Sequence, residues 1–293
     1  MVDSSKKTKI RIAMGQLLVE GGEPERNFER AEKMIKEASA NSCDVIVLPE
    51  TIDFAWTHPS AYSESHPIPG AYSKIFCDFA KKYRLYICLG LTEKISGGKL
   101  FNTALLIDDE GNIILKYHKI NLLDVEQPFY EVGNVLKVVD TKFGKVGVNI
   151  CADNYKHSVH IGKTLASMGA QIILSPSSWT VDYKITELDD PYSDKWVLPL
   201  TYIAKMYNIV LISTTSVGYI VGGPYEGKKK IGCSLAVDGQ GVLKQGQFNE
   251  FAGDVIFVDV DVPSNSEKGT ILNERILQRG FVPEVELWKQ KNG

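Results

Sequence analysis

The sequence predicts an α/β protein, and three observations carry that reading. Short apolar strands alternate with amphipathic helical stretches along most of the chain. Strand pairs joined by tight, glycine-containing turns interrupt that alternation, so the sheets are expected to be mixed rather than purely parallel. No linker, composition shift, internal repeat or low-complexity stretch divides the 293 residues, so a single domain is expected, built on one mixed sheet or on two packed sheets with helices outside.

Each element has a local reason. Lys9 to Leu17 alternates and reads as a first strand. Pro24 opens a helix, since its missing N–H would be unpaired in the first turn anyway, and Phe28, Ala31, Met34, Ile35 and Ala38 form its apolar stripe. Asp44-Val-Ile-Val-Leu-Pro-Glu50 holds four apolar residues in a row, the mark of a strand covered on both faces, and Pro49 ends it. Residues 51–69 read as an irregular loop rich in aromatics, including Phe54, Trp56 and Tyr62. Gly70 to Arg84 reads as a helix and Leu85 to Leu91 as a strand. Leu100 to Ile107 and Ile113 to Lys119 form a hairpin across a Gly-containing turn. A loop from Asn121 to Asn134 leads to a second hairpin, Val135 to Asp140 with Lys145 to Ile150. Cys151 follows, then a helix from about His157 to Met168, then a strand from Gln171 closed by Pro176. Tyr192 to Tyr207 reads as a helix with a kink or break at Pro199. A strand at Ile209 to Thr214, a third hairpin from Gly232 to Gln245 and a last strand from Asp254 to Val260 complete the core. The tail is expected to hold a short helix and a loose end.

Composition narrows the function. Hydrophobic residues make up 44% and charged residues 24%, ordinary values for a soluble protein with a sizeable core. A formal net charge of −3 gives no reason to expect nucleic acid or an anionic membrane as partner. No apolar run approaches the ~20 residues of a membrane helix. Met1 to Ile10 lacks the apolar core of a signal peptide and reads as a flexible lead-in. The five cysteines (Cys43, Cys77, Cys88, Cys151 and Cys233) are scattered and form no CxxC pair, which points to a reducing, cytoplasmic setting. All but Cys151 sit beside apolar or helical runs and read as packing residues.

Cys151 stands apart because it follows the strand Val146 to Ile150 at a corner that turns polar through Asp153 and Asn154. Such strand-to-helix corners line ligand crevices in open α/β sheets. Glu50 and Lys119 share its situation, each at or just past a strand end. If those strands are neighbours, a carboxylate, an ammonium and a thiol meet on one rim. A thiol nucleophile needs a base or cation nearby, a carboxylate can take and return its proton, and an ammonium can hold an oxyanion together with a backbone N–H. Taken singly, each residue also has an ordinary reading: a packed cysteine, a loop-capping glutamate, a solvated lysine.

Leu48-Pro-Glu50, Lys116-Tyr-His-Lys119 and Val148-Asn-Ile-Cys151, in this order and spacing, resemble the nitrilase superfamily of carbon–nitrogen hydrolases. Ile68-Pro-Gly70, Asn102-Thr-Ala104, Ser175-Pro-Ser-Ser-Trp179 and Gly232-Cys-Ser-Leu-Ala-Val-Asp238 support the resemblance. It spans a core of about residues 9–262, leaving 263–293 as a C-terminal extension. The resemblance implies a four-layer α-β-β-α sandwich of two mixed sheets with helices outside, pairing with a second copy into a homodimer or larger homo-oligomer. It implies cleavage of a non-peptide C–N bond in a small linear amide or N-carbamoyl compound, with no metal and no organic cofactor. Glu50 matches the family's general base, Lys119 its oxyanion-stabilising lysine and Cys151 its nucleophile. Glu126 is the better match for a second glutamate, with Glu131 as fallback. In place of the aromatic common after the cysteine stands Ala152, which widens the space beside the nucleophile and leaves the substrate open. Trp179, Phe54, Trp56 and Tyr155 are candidate pocket walls by their position after strand ends, and equally candidate core anchors.

Four other readings stay in view. A nitrilase would use the same three residues on a nitrile. A Cys–His hydrolase would use His157 or His160, which lie on a helix leading away from the corner. A zinc site on Cys151, His157 and His160 lacks a fourth ligand at the usual spacing. An inactive scaffold keeping the fold would have no need of Glu50, Lys119 and Cys151 together.

Overall fold

Two mixed sheets share one apolar interior, and strand alternation sorts the side chains that fill it. The computed structural model describes residues 8–264 and 269–282; the expected lead-in and loose tail fall largely outside them. The first sheet contains β1 (Thr8–Gln16), β2 (Val45–Val47), β3 (Tyr86–Lys94), β4 (Leu100–Ile107), β5 (Ile113–His118) and β15 (Asp254–Val262), in the order β15-β1-β2-β3-β4-β5. The second contains β6 (Val138–Thr141), β7 (Gly144–Val148), β8 (Ile172–Pro176), β10 (Val210–Thr214), β13 (Leu235–Asp238) and β14 (Gly241–Gln245), in the order β14-β13-β10-β8-β7-β6. Parallel strands form the middle of each sheet, β1-β2-β3 and β7-β8-β10, with antiparallel strands at the flanks.

Ile10, Ile12 and Met14 of β1, Val45 and Val47 of β2, and Ala104 and Leu106 of β4 face the second sheet and meet Val146, Val148, Ile172 and Leu174. The alternate residues Ala13, Ile46, Ile87, Leu89, Leu105 and Ile107 face outward onto α1 (Pro24–Ala40) and α3 (Ala71–Tyr83). The expected stripe of α1, from Phe28 to Ala38, is buried residue for residue. Each such large side chain contributes roughly 1.5–3 kcal/mol on burial. On the other side α4 (Val159–Ser167) and α5 (Leu198–Tyr207) cover the second sheet through Leu165, Leu200, Ile203 and Ala204. The layers are therefore helix, sheet, sheet, helix, as the resemblance implies.

Two helical expectations shift. The stretch from Tyr192 is a single π-helical turn, Ser193–Val197, running into α5, so Pro199 lies in the first turn of α5, where its absent N–H costs little. The helix after Cys151 starts only at Val159, because a 3-10 turn, Cys151–Asn154, comes first. A third sheet of short strands, β9 (Thr180–Val181), β11 (Val217–Tyr219) and β12 (Lys229–Ile231), has no counterpart in the sequence reading. Its strands are two or three residues long, too short to show a period. The short tail helix is α6 (Gly269–Gln278). No described helix is long and apolar enough to cross a membrane.

The segment after β2 is held against β3 by main-chain bonds from Leu48 N to Cys88 O, Gly90 N to Pro49 O and Ile52 N to Gly90 O, 2.8–3.0 Å long. Glycine at position 90 permits this approach, since a Cβ there would lie 2.6 Å from Glu50 Cα. Gly90→Ala must therefore push the Glu50 segment off the sheet, at a cost of about 1–3 kcal/mol typical of overpacking. Denaturant melts should show that loss; an unchanged midpoint would mean the loop is free to yield.

Candidate active site

The inward face of β5 carries Leu115 and Tyr117, and Lys119 continues it one residue past the strand. The face of β4 that carries Ala104 and Leu106 also carries Asn102. Glu50 follows β2 at the same rim, where its N–H bonds Ser177 O just beyond β8. Lys119 is clamped through its backbone, its N–H on Asn102 O at 2.9 Å and its carbonyl receiving Gly133 N at 2.8 Å. Gly133 is a forced choice, because a Cβ would stand 2.0 Å from His118 O.

The structure brings Glu50, Lys119 and Glu126 into one wholly buried cluster. Lys119 Nζ donates to Glu50 Oε1 at 2.9 Å and to both Glu126 oxygens at 2.7 and 2.8 Å. Asn102 Nδ2 donates to Glu50 Oε1 at 2.6 Å and to Glu126 Oε1 at 3.3 Å. Trp56 Nε1 and Leu123 N complete the set on Glu126 at 2.8 and 2.9 Å. The two carboxylates thus differ. Glu126 is saturated with donors, whereas Glu50 Oε2 is buried and accepts from no described residue. Glu131, the fallback, is half-exposed and pairs with Lys99 at 3.1 Å, outside the cluster.

Cys151 is buried and sits in the left-handed region at φ +46°, a conformation that costs a non-glycine residue about 1–2 kcal/mol. The turn around it supplies the compensation. Asp153 Oδ2 accepts from Tyr117 OH at 2.7 Å and from Ile150 N at 2.8 Å, and Oδ1 accepts from Asn121 N at 2.8 Å. Ala152 O accepts from Asn121 Nδ2 and Ser158 Oγ, each at 2.6 Å. Asn149 and Asn154 exchange side-chain bonds at 2.7 and 3.1 Å, and Asn154 reaches Ser175 Oγ at 2.8 Å. The nucleophile corner expected from the sequence is thus bolted both to β5, through Tyr117, and to β8, through Ser175.

Electrostatics ties the thiol to the cluster. Burial raises the Cys151 pKa well above its ordinary value, and the Glu50 charge adds to that, while Lys119 and the backbone of Ser178 oppose it. Burial likewise raises Glu50, against the pull of Lys119 and Asn102. Lys119, which burial alone would lower, is held well above its usual range by Glu126, Glu50 and Cys151. The resting arrangement is a neutral thiol, a firm ammonium and a carboxylate with proton affinity raised toward neutrality.

The pocket candidates divide. Trp179 stacks on Trp196 at 4.5 Å and meets Tyr192 edge-on, and Tyr155 packs on Trp196 at 4.7 Å, giving an aromatic wall in the cluster that holds Cys151. Ala152 is buried in the corner itself. Trp56 serves as a donor to Glu126, and Phe54 packs on Tyr72 at 5.9 Å in the cluster around Trp56. His157 and His160 are exposed, and no group of three metal-binding side chains occurs among the described residues. The sequence reading gave Asn102, Tyr117 and Asp153 no role. The inward parity of Asn102 and Tyr117 was available as a signal, but the partners were not.

Removing the ammonium should expose the repulsion it masks. Lys119→Met leaves two buried carboxylates together, and breaking such a set costs about 3–5 kcal/mol near neutral pH. A carboxyl with a raised folded pKa favours the folded state below its unfolded value, and that advantage is lost as pH rises through the folded value. The deficit of the variant against wild type should therefore shrink as pH falls from 8 toward 4.5. Urea melts across that range check it; a pH-independent deficit would count against charge repulsion.

The comparisons fit this geometry. The sequence profile described as carbon-nitrogen hydrolase matches residues 11–267. A Pyrococcus abyssi protein named nitrilase is 35% identical over 179 residues, 59% of this chain and 67% of that protein. The Danio rerio omega-amidase NIT2 is 29% identical over 183 residues, 59% of this chain and 65% of that protein. The matched stretch thus spans about two thirds of these curated relatives. Among solved structures, an amidase from Nesterenkonia sp. superposes with a TM-score of 0.75 at 17% identity, covering 92% of this chain and 97% of that one. The same amidase in complex with acrylamide gives a TM-score of 0.75 over 96% of this chain. The match over nearly the whole core, together with the layered fold, makes this chain a member of the carbon–nitrogen hydrolase family.

Proposed function

We propose that the protein hydrolyses the C–N bond of a small linear amide or N-carbamoyl compound through a Cys151 thioester. The observation that carries this reading is the asymmetry of the two carboxylates around Lys119. Glu126 spends its lone pairs on four donors and positions the ammonium, while Glu50 keeps one buried oxygen free to take a proton.

In the proposed cycle the Cys151 sulfur attacks the amide carbon as its proton passes to Glu50. The carbonyl oxygen becomes an oxyanion held by Lys119 Nζ and the Ala152 N–H. The tetrahedral adduct collapses, Glu50 returns the proton to the departing nitrogen, and ammonia or amine leaves. Water then attacks the thioester, giving its proton to Glu50, and the carboxylic acid departs with the thiol restored. A dry site suits this sequence, because Lys119 acts on the developing charge without first shedding water. In the Nesterenkonia amidase, fluoroacetamide adds its acetamide moiety to the active-site cysteine, which supports thiol attack on amides in this fold. The omega-amidase names among the relatives favour amides over nitriles. We also propose that the protein works in the cytoplasm as a homodimer, in keeping with its unpaired cysteines and the family resemblance.

A screen of short amides, N-carbamoyl compounds and nitriles for ammonia release tests the reading. Cys151→Ala should abolish turnover with the fold intact, and Lys119→Ala should lower kcat by roughly 100- to 1000-fold, the usual cost of an oxyanion donor. Retained turnover in Cys151→Ala would show a different nucleophile. Since Glu50 must start ionised and its pKa is raised, kcat/KM should fall as pH drops through a value above the ordinary carboxylate range. Iodoacetamide should label Cys151 fastest among the five cysteines, although burial pushes all of them up, Cys43 to about 12 and Cys233 to about 11. Glu50→Gln should remove that advantage, and uniform labelling in wild type would contradict the proposed activation.

A further inference from the structure

β12 carries two adjacent lysines, and strand alternation sends them to opposite faces. Lys229 ion-pairs with Glu250. Lys230 is as deeply buried, 1% exposed, yet its ammonium has no hydrogen-bond or ion-pair partner among the described residues. A charge sealed from water without a counter-ion costs several kcal/mol, so a buried lysine in this state calls for an anion that the chain itself does not provide.

Its surroundings say where that anion would sit. Lys230 lies directly across from Thr180 of β9, two residues after Ser178. Ser178 is the residue whose backbone lies against the Cys151 sulfur, and its neighbour Ser177 holds Glu50 through the main chain. Ser178 Oγ and Trp179 Nε1 are also buried and unpartnered. The loop between β11 and β12 closes on the same rim, with Tyr225 edge-on to Trp56 at 5.2 Å and Gly223 against Thr57. The nearest charge felt by Lys230 is Glu50, which is too distant for an ion pair and already committed to Lys119. The side chain therefore stands across the site from the Glu50–Lys119 pair, on the wall made by the third sheet. Burial lowers its pKa to about 8, with Glu50 partly offsetting, so the ammonium form still prevails at neutral pH.

We propose that Lys230 is a specificity-determining residue that binds a free carboxylate on the substrate, so that the preferred substrates are short amides or N-carbamoyl compounds bearing an acid group. This rests on the amide-hydrolysing reading above and adds the charge of the substrate to it. The free acid lies either on the acyl side, as in a dicarboxylic acid monoamide, or on the amine side, as in an N-carbamoyl amino acid.

The test compares succinamate and butyramide for the first arrangement, and N-carbamoyl-β-alanine and N-carbamoyl-propylamine for the second. Wild type should favour the acid-bearing member of one pair by about 10- to 100-fold in kcat/KM, the range of a hydrogen bond to a charged group. Lys230→Met, which keeps the volume, should collapse that ratio toward one. The pair that shows the preference identifies the side of the scissile bond. Calorimetry on the Cys151→Ala protein gives a readout without turnover: the same acid-bearing compound should bind more tightly than its neutral partner, and Lys230→Met in that background should erase the difference. Equal kcat/KM and equal binding within both pairs, or a preference that survives Lys230→Met, overturns the proposal. Charge-selective binding without hydrolysis of any compound would uphold Lys230 and overturn the hydrolase reading instead.

Discussion

The site depends on one buried ammonium shared by two carboxylates. Lys119 holds Glu126 with both oxygens and Glu50 with one, and none of the three side chains reaches solvent. Such a set is costly to desolvate, and it survives here because nearly every lone pair and proton finds a partner with good geometry. The exception is Glu50 Oε2. A cluster selected for stability alone would have closed that position too. Its openness is what distinguishes a base from a structural acid.

The surrounding architecture serves to keep those charges at fixed distances. Inward-facing positions of β4 and β5 supply Asn102, Tyr117 and Lys119, and the turns after β2 and β7 supply Glu50 and Cys151. Since the parallel strands at the centre of both sheets end at one rim, side chains far apart in sequence meet there without any long loop having to find its way. The left-handed backbone at Cys151 is the strained point, and Asp153, with three donors gathered on its carboxylate, offsets the strain. The corner is therefore rigid, which suits a nucleophile that must attack along one direction.

Lys230 sets a second condition on the same cavity wall. A carboxylate base, a substrate and a lone cation across from the base make a charge arrangement that a neutral ligand would leave incomplete. The small Ala152 beside the nucleophile and the aromatic wall of Trp179, Tyr155 and Trp196 shape the apolar part of that space, while the charge falls to the third sheet.

By itself the sequence determined the layered α/β class, the apolar faces of β1, β2 and α1, and the three residues placed past strand ends, because period and strand termination are local properties of a chain. It also favoured Glu126 over Glu131 through the resemblance. It could not determine which carboxylate would be saturated and which left open, since that depends on Trp56, Asn102 and Leu123 arriving from separate segments. Nor could it show the third sheet, whose strands are too short to carry a period, or tell Lys229 from Lys230, neighbours of identical chemistry. Only the tertiary structure gave one of those lysines a counter-ion and left the other facing the site, because pairing across strands, and not residue type, decides where a buried charge finds its partner.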